Sequence, residues 1–222
     1  EALTYLAKKY NITIEYDNIG ESEKNAASER ESIVAVLSFV KSQFCENLIN
    51  DKNNPLNYFL NRGFKNSTIQ EFEIGYSLKK RSDIAEKTKK AGYNIKFLKM
   101  ANVVNENLNC RFSGRVIFPI HSITGQVLGF GGRLTDDKIK AAKYVNSDSS
   151  EIYQKSKILY GFHIAKLHIK KLDFCYIVEG YTDVMALHQV GFKNTIANCG
   201  TALTKDQIRL IKRFTKNIVI LF

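Results

Sequence analysis

The last fifty residues of this chain alternate between short apolar runs and helical segments, and no other feature constrains the fold as strongly. Residues 174–178 form one continuous apolar run, and residues 194–198 and 217–222 form two more. Uniformly apolar strands are typical of a parallel sheet that is covered on both faces. The order strand–helix–strand–helix–strand therefore predicts a parallel α/β unit over residues 173–222.

The chain before residue 115 has helical rather than β-type patterns. One apolar stripe predicts a long helix from Glu31 onward, and it consists of Ile33, Val36, Leu37, Val40, Phe44 and Leu48. Residues 15–30 are polar and are predicted to form a linker. Three shorter helices are expected next: one over 56–62 that ends at Gly63, one capped by Ser67 and Gln70, and one between Ser82 and Gly92.

Two β-type runs follow, at 115–120 and 126–130, joined by a turn that ends at Gly125. The glycines at 129, 131 and 132 are more than a packed strand needs, so they indicate a β-bulge or a close approach of a ligand to the backbone. The whole pattern predicts a combined α+β and α/β protein. Its parts are a preceding region and linker over 1–30, a basic helical and mixed-sheet N-terminal subdomain over 31–172, and the α/β subdomain over 173–222.

The formal net charge is +11, and the excess is concentrated in the middle of the chain. Residues 41–172 carry 23 basic and 11 acidic side chains, whereas residues 1–40 carry 4 and 7. A concentrated positive charge favours a polyanionic partner, above all nucleic acid, because neutralised phosphates release condensed counterions. Solvated lysines that only keep a protein soluble would give the same count, so charge alone leaves both interpretations open.

The four cysteines are Cys45, Cys110, Cys175 and Cys199, and no two of them form a C-x-x-C pair. This spacing excludes a zinc ribbon. Cys175 lies in an apolar run, where a small buried hydrophobe is expected rather than a nucleophile. The sequence has no apolar run of about 18 residues and no secretion signal, so we expect a soluble cytoplasmic protein with reduced thiols.

Two carboxylates follow the first strand of the α/β unit. Ligands of open parallel sheets bind outside the carboxyl ends of the strands, and Glu179 is the first residue after the run at 174–178. Asp183 lies four residues later, so the two carboxylates can converge on Mg²⁺. Alternatively, Asp183 only stabilises the first turn of a helix, and Glu179 is an acid that happens to end a strand.

Basic residues near the glycines form a second group of candidates. Arg111, Arg115, Arg133, Lys143 and Lys155 are interleaved with the polar residues Tyr144, Asn146 and Ser147. The guanidinium fork matches phosphate oxygens and lysine supplies a point charge, so a nucleoside triphosphate or a nucleic-acid backbone is a suitable ligand. Ordinary surface cations on a hairpin would produce the same pattern.

Several motifs, in this order along nearly the whole chain, resemble one family. They are R-G-F at 62–64, F-E-I-G-Y at 72–76, R-F-S-G-R-V-I-F-P-I at 111–120, G-F-G-G-R at 129–133, K-Y-V-N-S at 143–147, Y-Q-K-S-K-I-L-Y-G at 153–161, V-E-G-Y-T-D-V at 178–184 and G-T at 200–201. With these motifs the sequence resembles the catalytic RNA-polymerase core of bacterial replicative primases, with a Toprim subdomain at 173–222. A Glu-Gly-Tyr motif alone would indicate a Toprim fold and nothing more.

The resemblance implies roles for individual residues. Glu179 is similar to the family's Toprim glutamate, a metal ligand and general acid or base, and Asp183 is similar to the nearby acid that assists with the metal. The residues implied in binding nucleotide phosphates are Arg133, Lys143, Tyr144 and Asn146. The residues implied in binding template DNA and primer are Arg111, Arg115 and Lys155.

The same resemblance implies an activity and its partners. The reaction would be synthesis of short RNA primers on a single-stranded DNA template from ribonucleoside triphosphates, with Mg²⁺ or Mn²⁺ as the cofactor. The partners would be the template, the RNA primer and a replicative helicase, within the nucleoid-associated replication machinery of a bacterial cytoplasm and away from membranes.

Some parts of the family's pattern are expected outside this chain. They are a zinc-binding domain, which would hold the family's zinc, a helicase-binding domain, and an Asp-x-Asp pair of metal ligands directly after Phe222. On that expectation the chain is part of a larger enzyme with an incomplete Toprim subdomain, and alone it makes little or no primer. Ser113 stands where many relatives have a basic residue, which weakens that part of the phosphate surface.

Two other functions fit parts of the pattern. A Toprim nuclease or topoisomerase uses the same glutamate for phosphodiester cleavage, although nothing here marks the nucleophilic tyrosine of a topoisomerase. A non-catalytic module that binds single-stranded DNA or a helicase would need the positive charge and not the carboxylates. Replacing Glu179 by Gln in the full-length protein would separate catalysis from binding alone.

Overall fold

The fold is described from a computed structural model, which describes residues 10, 21–52, 54–135, 140–198 and 202–221. Several sequence-based expectations fall outside these ranges. They are the first part of the linker at 15–20, Cys199 and the G-T motif at 200–201.

Between residues 21 and 100 the described part of the chain forms helices, joined by turns, and one short strand. Its helices are α1 (Glu21–Asn50), α2 (Asn57–Leu60), α3 (Asn66–Glu71), α4 (Asp83–Lys90) and α5 (Lys96–Met100), and its strand is β1 (Gly75–Ser77). The strands β2 (Arg115–His121), β3 (Val127–Leu134) and β4 (Tyr144–Asn146) follow, and then a short 3₁₀ helix at Lys155–Lys157. The C-terminal part consists of α6 (Phe162–Leu172), β5 (Cys175–Val178), α7 (Tyr181–Gln189), β6 (Thr195–Ala197), α8 (Lys205–Ile211) and β7 (Ile218–Ile220).

Two helix starts differ from the sequence-based expectation. Helix α1 begins at Glu21, ten residues before Glu31, so residues 21–30 are helical rather than a linker. Residues 25–30 are largely exposed, and an exposed turn needs no apolar stripe, which is why periodicity missed this part of the helix. The capping box at Ser67 and Gln70 is wrong, because α3 begins after Lys65 and has no side-chain cap.

Helix α1 packs its apolar stripe into the core. Residues 25–50 of this helix are long and apolar enough to cross a membrane by length and composition, contrary to the expectation from run lengths. The stripe residues Ile33, Leu37, Val40 and Phe44 are buried, and Gly75 of β1 lies directly against the Phe44 backbone. Packing against the sheet therefore accounts for the apolar composition of α1.

Strands β1 to β4 form an antiparallel sheet in the order β1–β2–β3–β4. The register of β2 against β3 shifts between Ile120 and His121, which is the irregularity that the glycine-rich run predicted. The glycines of β3 lie against the protein's own side chains: a Cβ at position 129 would meet Ser147, and a Cβ at 132 would meet Phe112.

Strands β5, β6 and β7 form the parallel sheet, in the order β6–β5–β7. The predicted alternation of strands and helices is confirmed in this part of the chain. The Thr204–Gln207 capping box of α8 is present, and Gly191, with a φ of 103°, follows the end of α7.

The apolar core continues across the predicted subdomain boundary at 172/173. Val178, Tyr181, Val184 and Ala197 belong to the same buried cluster as α1 and the antiparallel sheet. Conversely, α6 packs with the parallel sheet, since Phe162, Ala165 and Ile169 join a second cluster with Cys175 and Ile177. The two sheets are therefore joined by shared side chains, and the boundary itself remains a prediction.

Candidate functional site

The end of β5 and the start of α7 form one wall of a cavity of about 380 Å³, and β4 forms another. We call this the carboxylate cavity; it is lined by Tyr144, Asn146, Glu179, Gly180, Tyr181, Thr182 and Asp183. It lies at the carboxyl end of a parallel strand, as the rule for open sheets predicts. The structure therefore brings together both predicted carboxylates and two of the four predicted nucleotide-binding residues.

The two carboxylates of this cavity differ in their local contacts. Asp183 Oδ2 accepts a hydrogen bond from the Gly180 backbone N–H at 3.0 Å, so this side chain caps the first turn of α7. Both Asp183 and Glu179 are exposed. Asp183 therefore does stabilise the first turn of α7, as one of the two sequence-based interpretations predicted. Its other carboxylate oxygen, Oδ1, is then the atom that can bind a ligand.

The carboxylate cavity fits a hard cation that keeps much of its water. Mg²⁺ is commonly held by one or two carboxylates together with waters and substrate phosphates, and Glu179 and Asp183 provide two. Among the described residues, no group of three or more His, Cys, Asp or Glu side chains is arranged to hold a metal ion. The described part of the chain thus offers an open, two-carboxylate site rather than a closed cage.

Arg133 lies between two tyrosine rings beside the cavity. Its guanidinium carbon is 5.2 Å from the centre of the Tyr144 ring and 5.4 Å from that of Tyr58, and its Nη1 donates to the Tyr144 hydroxyl at 2.7 Å. The Arg133 side chain is buried, and its Nε–H has no hydrogen-bond partner within the described ranges. Lys143 precedes Tyr144 and is exposed, so the two cations predicted to bind nucleotide differ sharply in their surroundings.

Asn146 is linked to the start of α7 by a hydrogen bond. The Tyr181 hydroxyl donates to Asn146 Oδ1 at 2.9 Å. The Tyr181 ring is stacked on Phe118 and meets Tyr160 edge-on. This hydrogen bond therefore joins β4 to α7 at the wall of the cavity.

A larger cavity of about 700 Å³ is lined by residues from 79–81 and 102–115, together with Leu134 and Ala141. We call this the basic cavity, because four cationic side chains line it: Lys79, Arg81, Arg111 and Arg115. No carboxylate occurs among the described residues that line it. Its chemistry is that of an anion site.

The three residues predicted to bind DNA lie in different surroundings. Arg111 is exposed and its two terminal nitrogens donate to the Asp148 carboxylate at 2.6 and 3.0 Å. Arg115 is buried rather than part of an exposed surface; its Nη1 donates to the Lys143 carbonyl at 3.2 Å, and burial lowers its pKa. Lys155 begins the 3₁₀ helix and is not among the residues that line either cavity.

Sequence reasoning missed Tyr58, Lys79, Arg81 and the role of Tyr181. Tyr58 stacks on Arg62 as well as on Arg133, with its ring centre 4.9 Å from the Arg62 guanidinium carbon. The basic run at 79–81 was a detectable signal for the basic cavity, because Ser77 of β1 is paired with Arg115. Tyr181 stood inside the quoted V-E-G-Y-T-D-V motif but received no role.

The thiols of the half-buried Cys45 and the buried Cys175 are poorly suited to chemistry. Burial raises the pKa of Cys45 to about 11 and that of Cys175 to about 11, so both stay protonated near neutral pH. Cys175 is fully buried in the parallel sheet, which confirms the prediction of a small buried hydrophobe.

The family model for the N-terminal domain of the DNA primase catalytic core matches residues 43–166 of the chain. The chain belongs to the DNA primase catalytic-core family. A Toprim domain model matches residues 173–222, so the predicted order of a primase core followed by a Toprim subdomain is confirmed.

Individual relatives agree with this primase-core assignment. A DNA primase of Helicobacter pylori is 40% identical over 227 residues, and the match covers 99% of this chain and 38% of that protein. The crystal structure of the RNA polymerase domain of Mycobacterium tuberculosis primase DnaG superposes with a TM-score of 0.80 at 28% identity, covering 86% of this chain and 66% of that one. A DnaG primase catalytic domain bound to ssDNA superposes with a TM-score of 0.79 at 29% identity, covering 87% of this chain and 64% of that one. The primase core described here thus spans less than half the length of the curated relative.

Proposed function

We propose that this chain carries the nucleotidyl-transfer centre of a bacterial DNA primase, which makes short RNA primers on single-stranded DNA. The observation that carries the proposal is the carboxylate cavity, where Glu179 and Asp183 lie beside Tyr144 and Asn146 in a member of the primase catalytic-core family. Carboxylates beside hydrogen-bond donors suit a nucleoside triphosphate that is held together with a divalent cation.

We assign Mg²⁺ or Mn²⁺ to Glu179 and Asp183, with further ligands from residues beyond Phe222. A divalent cation bound there supplies positive charge against the triphosphate and acidifies the attacking hydroxyl. Glu179 accepts the proton of the primer 3′-hydroxyl while that oxygen bonds to the α-phosphorus and pyrophosphate leaves. Asp183 keeps its bond to the Gly180 N–H and thereby holds the start of α7 beside the reacting groups.

The nucleotide phosphates are assigned to Arg133, Lys143, Tyr144 and Asn146. Arg133 supports this assignment because its charge is buried and no carboxylate of the described residues pairs with it. A buried cation without a counter-charge is unfavourable, so an anionic ligand beside it would be stabilised. The hydrogen bond to Tyr144 keeps the guanidinium beside the cavity while the ligand is absent.

The template and primer backbones are assigned to Arg111, Arg115 and Lys155, and we add Lys79 and Arg81 from the basic cavity. Four cations without a lining carboxylate suit phosphates, and Ala141, which lines this cavity, lies three residues before Tyr144, which lines the carboxylate cavity. A strand bound in the basic cavity would therefore approach the nucleotide site. Arg115 also holds the Lys143 backbone through its hydrogen bond to the Lys143 carbonyl.

The partners and the setting follow from the proposed reaction. Single-stranded DNA and ribonucleoside triphosphates are the substrates, the RNA primer is the product, and a replicative helicase binds through residues outside this chain. The enzyme would work in the bacterial cytoplasm at the nucleoid-associated replication machinery.

The test is the Glu179→Gln variant of the full-length gene product. We expect metal-dependent primer synthesis to fall by about 100-fold or more, because a general base is lost, while the affinity for single-stranded DNA stays within twofold. Glu86→Gln, at an exposed side chain of α4, is the matched control and should leave synthesis unchanged. Unchanged synthesis in Glu179→Gln, or a wild-type protein that binds DNA but makes no RNA with Mg²⁺ or Mn²⁺, would reject the proposal and favour a non-catalytic binding module. Cleavage of DNA in place of synthesis would favour a Toprim nuclease.

A further inference from the structure

Tyr181 is held rigidly at the junction of the two sheets. It is the first residue of α7, only 5% of its surface is exposed, and its ring stacks on Phe118 with centres 4.9 Å apart and planes 14° apart. Tyr160 meets the same ring edge-on, with centres 4.6 Å apart. A ring packed on a face and an edge has little rotational freedom, so the position of its hydroxyl is set by the core.

The backbone of β3 leaves room for this ring at Gly131. A Cβ at that position would lie 2.7 Å from ring and hydroxyl atoms of Tyr181, which is closer than any Cβ can approach. Gly131 is also the register partner of Asn146 in the β3–β4 pair. Gly131 therefore contacts the Tyr181 ring and is also paired with Asn146 in the sheet, so one position of β3 constrains the location of both residues.

The hydrogen bond between the two side chains determines which half of the Asn146 amide is held. A carboxamide has an acceptor oxygen and a donor nitrogen on opposite branches, and a rotation about its last bond exchanges them. The Tyr181 hydroxyl donates to Oδ1 at 2.9 Å. The NH₂ group is then the branch directed away from Tyr181, on a side chain that lines the carboxylate cavity.

We infer that Tyr181 is a positioning residue that orients the Asn146 amide so that its NH₂ group donates to an oxygen of the bound nucleotide. Phosphate and ribose oxygens are acceptors, so this orientation matches the ligand and the opposite one would present oxygen to oxygen. The inference rests on the proposed function for the identity of the ligand. It adds a residue that acts on the ligand by orienting Asn146.

The test is a double-mutant cycle on the full-length gene product, with ATP and Mg²⁺ as the probe. We expect Tyr181→Phe and Asn146→Ala each to weaken ATP binding by about 3- to 10-fold, the range of one hydrogen bond. The double variant should bind ATP no more weakly than Asn146→Ala, because both changes remove the same contact. Tyr181→Phe keeps the ring and its stacking, so the thermal midpoint should fall by only about 1–5 °C, the effect of one lost hydrogen bond, and the loss of ATP affinity should appear in KM for ATP rather than in kcat.

Two further variants sharpen the cycle. Asn146→Asp keeps an acceptor for the Tyr181 hydroxyl but has no NH₂ group, so it should retain the thermal midpoint and lose at least as much ATP affinity as Asn146→Ala. Tyr93→Phe is the matched control, since its ring packs against Phe39 of α1 and away from the cavity; ATP binding should not change.

The outcomes separate this inference from the proposed function. Additive losses in the double variant, an unchanged ATP affinity in Asn146→Ala or Asn146→Asp, or a Tyr181→Phe variant with wild-type KM would each overturn the positioning role even if primer synthesis is intact. Failure of the proposed function instead appears as absent synthesis and an inert Glu179→Gln variant, and ATP titration still decides the role of Tyr181 in that case.

Discussion

Gln189 at the end of α7 donates a hydrogen bond from Nε2 to the Gly63 carbonyl oxygen at 2.9 Å, across 126 positions in the chain. Its Oε1 accepts from the Lys65 backbone N–H at 2.7 Å and from Thr68 Oγ1 at 3.0 Å. One side chain thus ties α7, which begins at the carboxylate cavity, to the segment around α2 and α3.

The variant Gln189→Ala should lower the free energy of unfolding by about 1–2 kcal/mol, because the hydrogen bonds to Gly63, Lys65 and the partly buried Thr68 hydroxyl are lost together. Urea unfolding monitored by circular dichroism measures this. The control is Lys193→Ala, which removes the neighbouring ion pair with Glu71, whose nitrogen–oxygen distance is 2.6 Å. That pair is solvated, so its loss should cost about 0–1 kcal/mol. Equal losses of unfolding free energy in the two variants would mean that the hydrogen bonds of Gln189 contribute no more to stability than a surface ion pair.

Removing Asp148 should strengthen binding of single-stranded DNA. Asp148 occupies both terminal nitrogens of Arg111, so a DNA phosphate must compete with a carboxylate for that guanidinium. We expect Asp148→Asn to tighten binding of a short oligonucleotide by about 2- to 5-fold at low salt, an exposed ion pair being worth about 0.2–1 kcal/mol. Fluorescence anisotropy measures the affinity, with Glu71→Gln as the charge-matched control. A weaker or unchanged affinity would remove Arg111 from the DNA-binding surface.

The basic cavity predicts a specific salt dependence. If Lys79 and Arg81 each bind one phosphate, Lys79→Ala and Arg81→Ala should each reduce the slope of log K against log salt by about 0.7, the value for single strands. Lys170→Ala and Lys171→Ala in the last turn of α6 serve as controls with the same change of charge. Identical slopes in cavity and control variants would mean that the cavity does not hold DNA.

Much of the parallel unit could be predicted from the sequence, because strand and helix periodicity are local properties. The strand ahead of Glu179, the Thr204–Gln207 cap and the convergence of Glu179 and Asp183 needed only neighbouring residues and the rule for the carboxyl edge of a sheet. The family motifs then supplied roles that periodicity could not.

The surroundings of Arg133 and the basic cavity could not be predicted in the same way. Tyr58 reaches Arg133 through the packing of a four-residue helix, and no local pattern reports a contact across 75 positions. Lys79 and Arg81 join Arg111 and Arg115 because β1 pairs with β2, yet β1 has three residues and is too short to give a periodic signal. The burial of Arg115 and Arg133 likewise depends on tertiary packing.

The stability of the fold should decrease between pH 7 and pH 5, in part through His188. This side chain is 1% exposed, its Nε2–H donates to the Thr195 carbonyl at 2.9 Å, and its Nδ1 has no partner within the described ranges. Burial lowers the pKa of His188 to about 4, despite the hydrogen bond to Thr195. The unfolded chain therefore binds a proton that the folded chain does not, so stability is full above about pH 6.5 and is lost as the pH falls toward 4.

For His188 alone this linkage amounts to about 2 kcal/mol between pH 7 and pH 5. Urea unfolding of the wild type and of His188→Gln at both pH values measures it: the variant is expected to be less stable at pH 7 but to lose about 2 kcal/mol less on acidification. His163, whose pKa burial also lowers to about 4, should retain its own share of the pH dependence in that variant. Parallel losses in the two proteins would mean that His188 is not the titrating group.

Gly131→Ala should destabilise the fold through the Tyr181 ring rather than through the backbone. Gly131 does not have a positive φ, so alanine can adopt its conformation, and the cost arises because a methyl group would lie 2.7 Å from the ring. Overpacking of this kind costs about 1–3 kcal/mol in free energy of unfolding. The ring must move, so ATP affinity should fall together with stability if Tyr181 orients Asn146.

Tyr181→Leu in the Gly131→Ala background removes the clash, so the double variant should be more stable than the sum of the two single losses predicts. Additive losses would show that the methyl group is accommodated elsewhere and that β3 does not set the position of Tyr181.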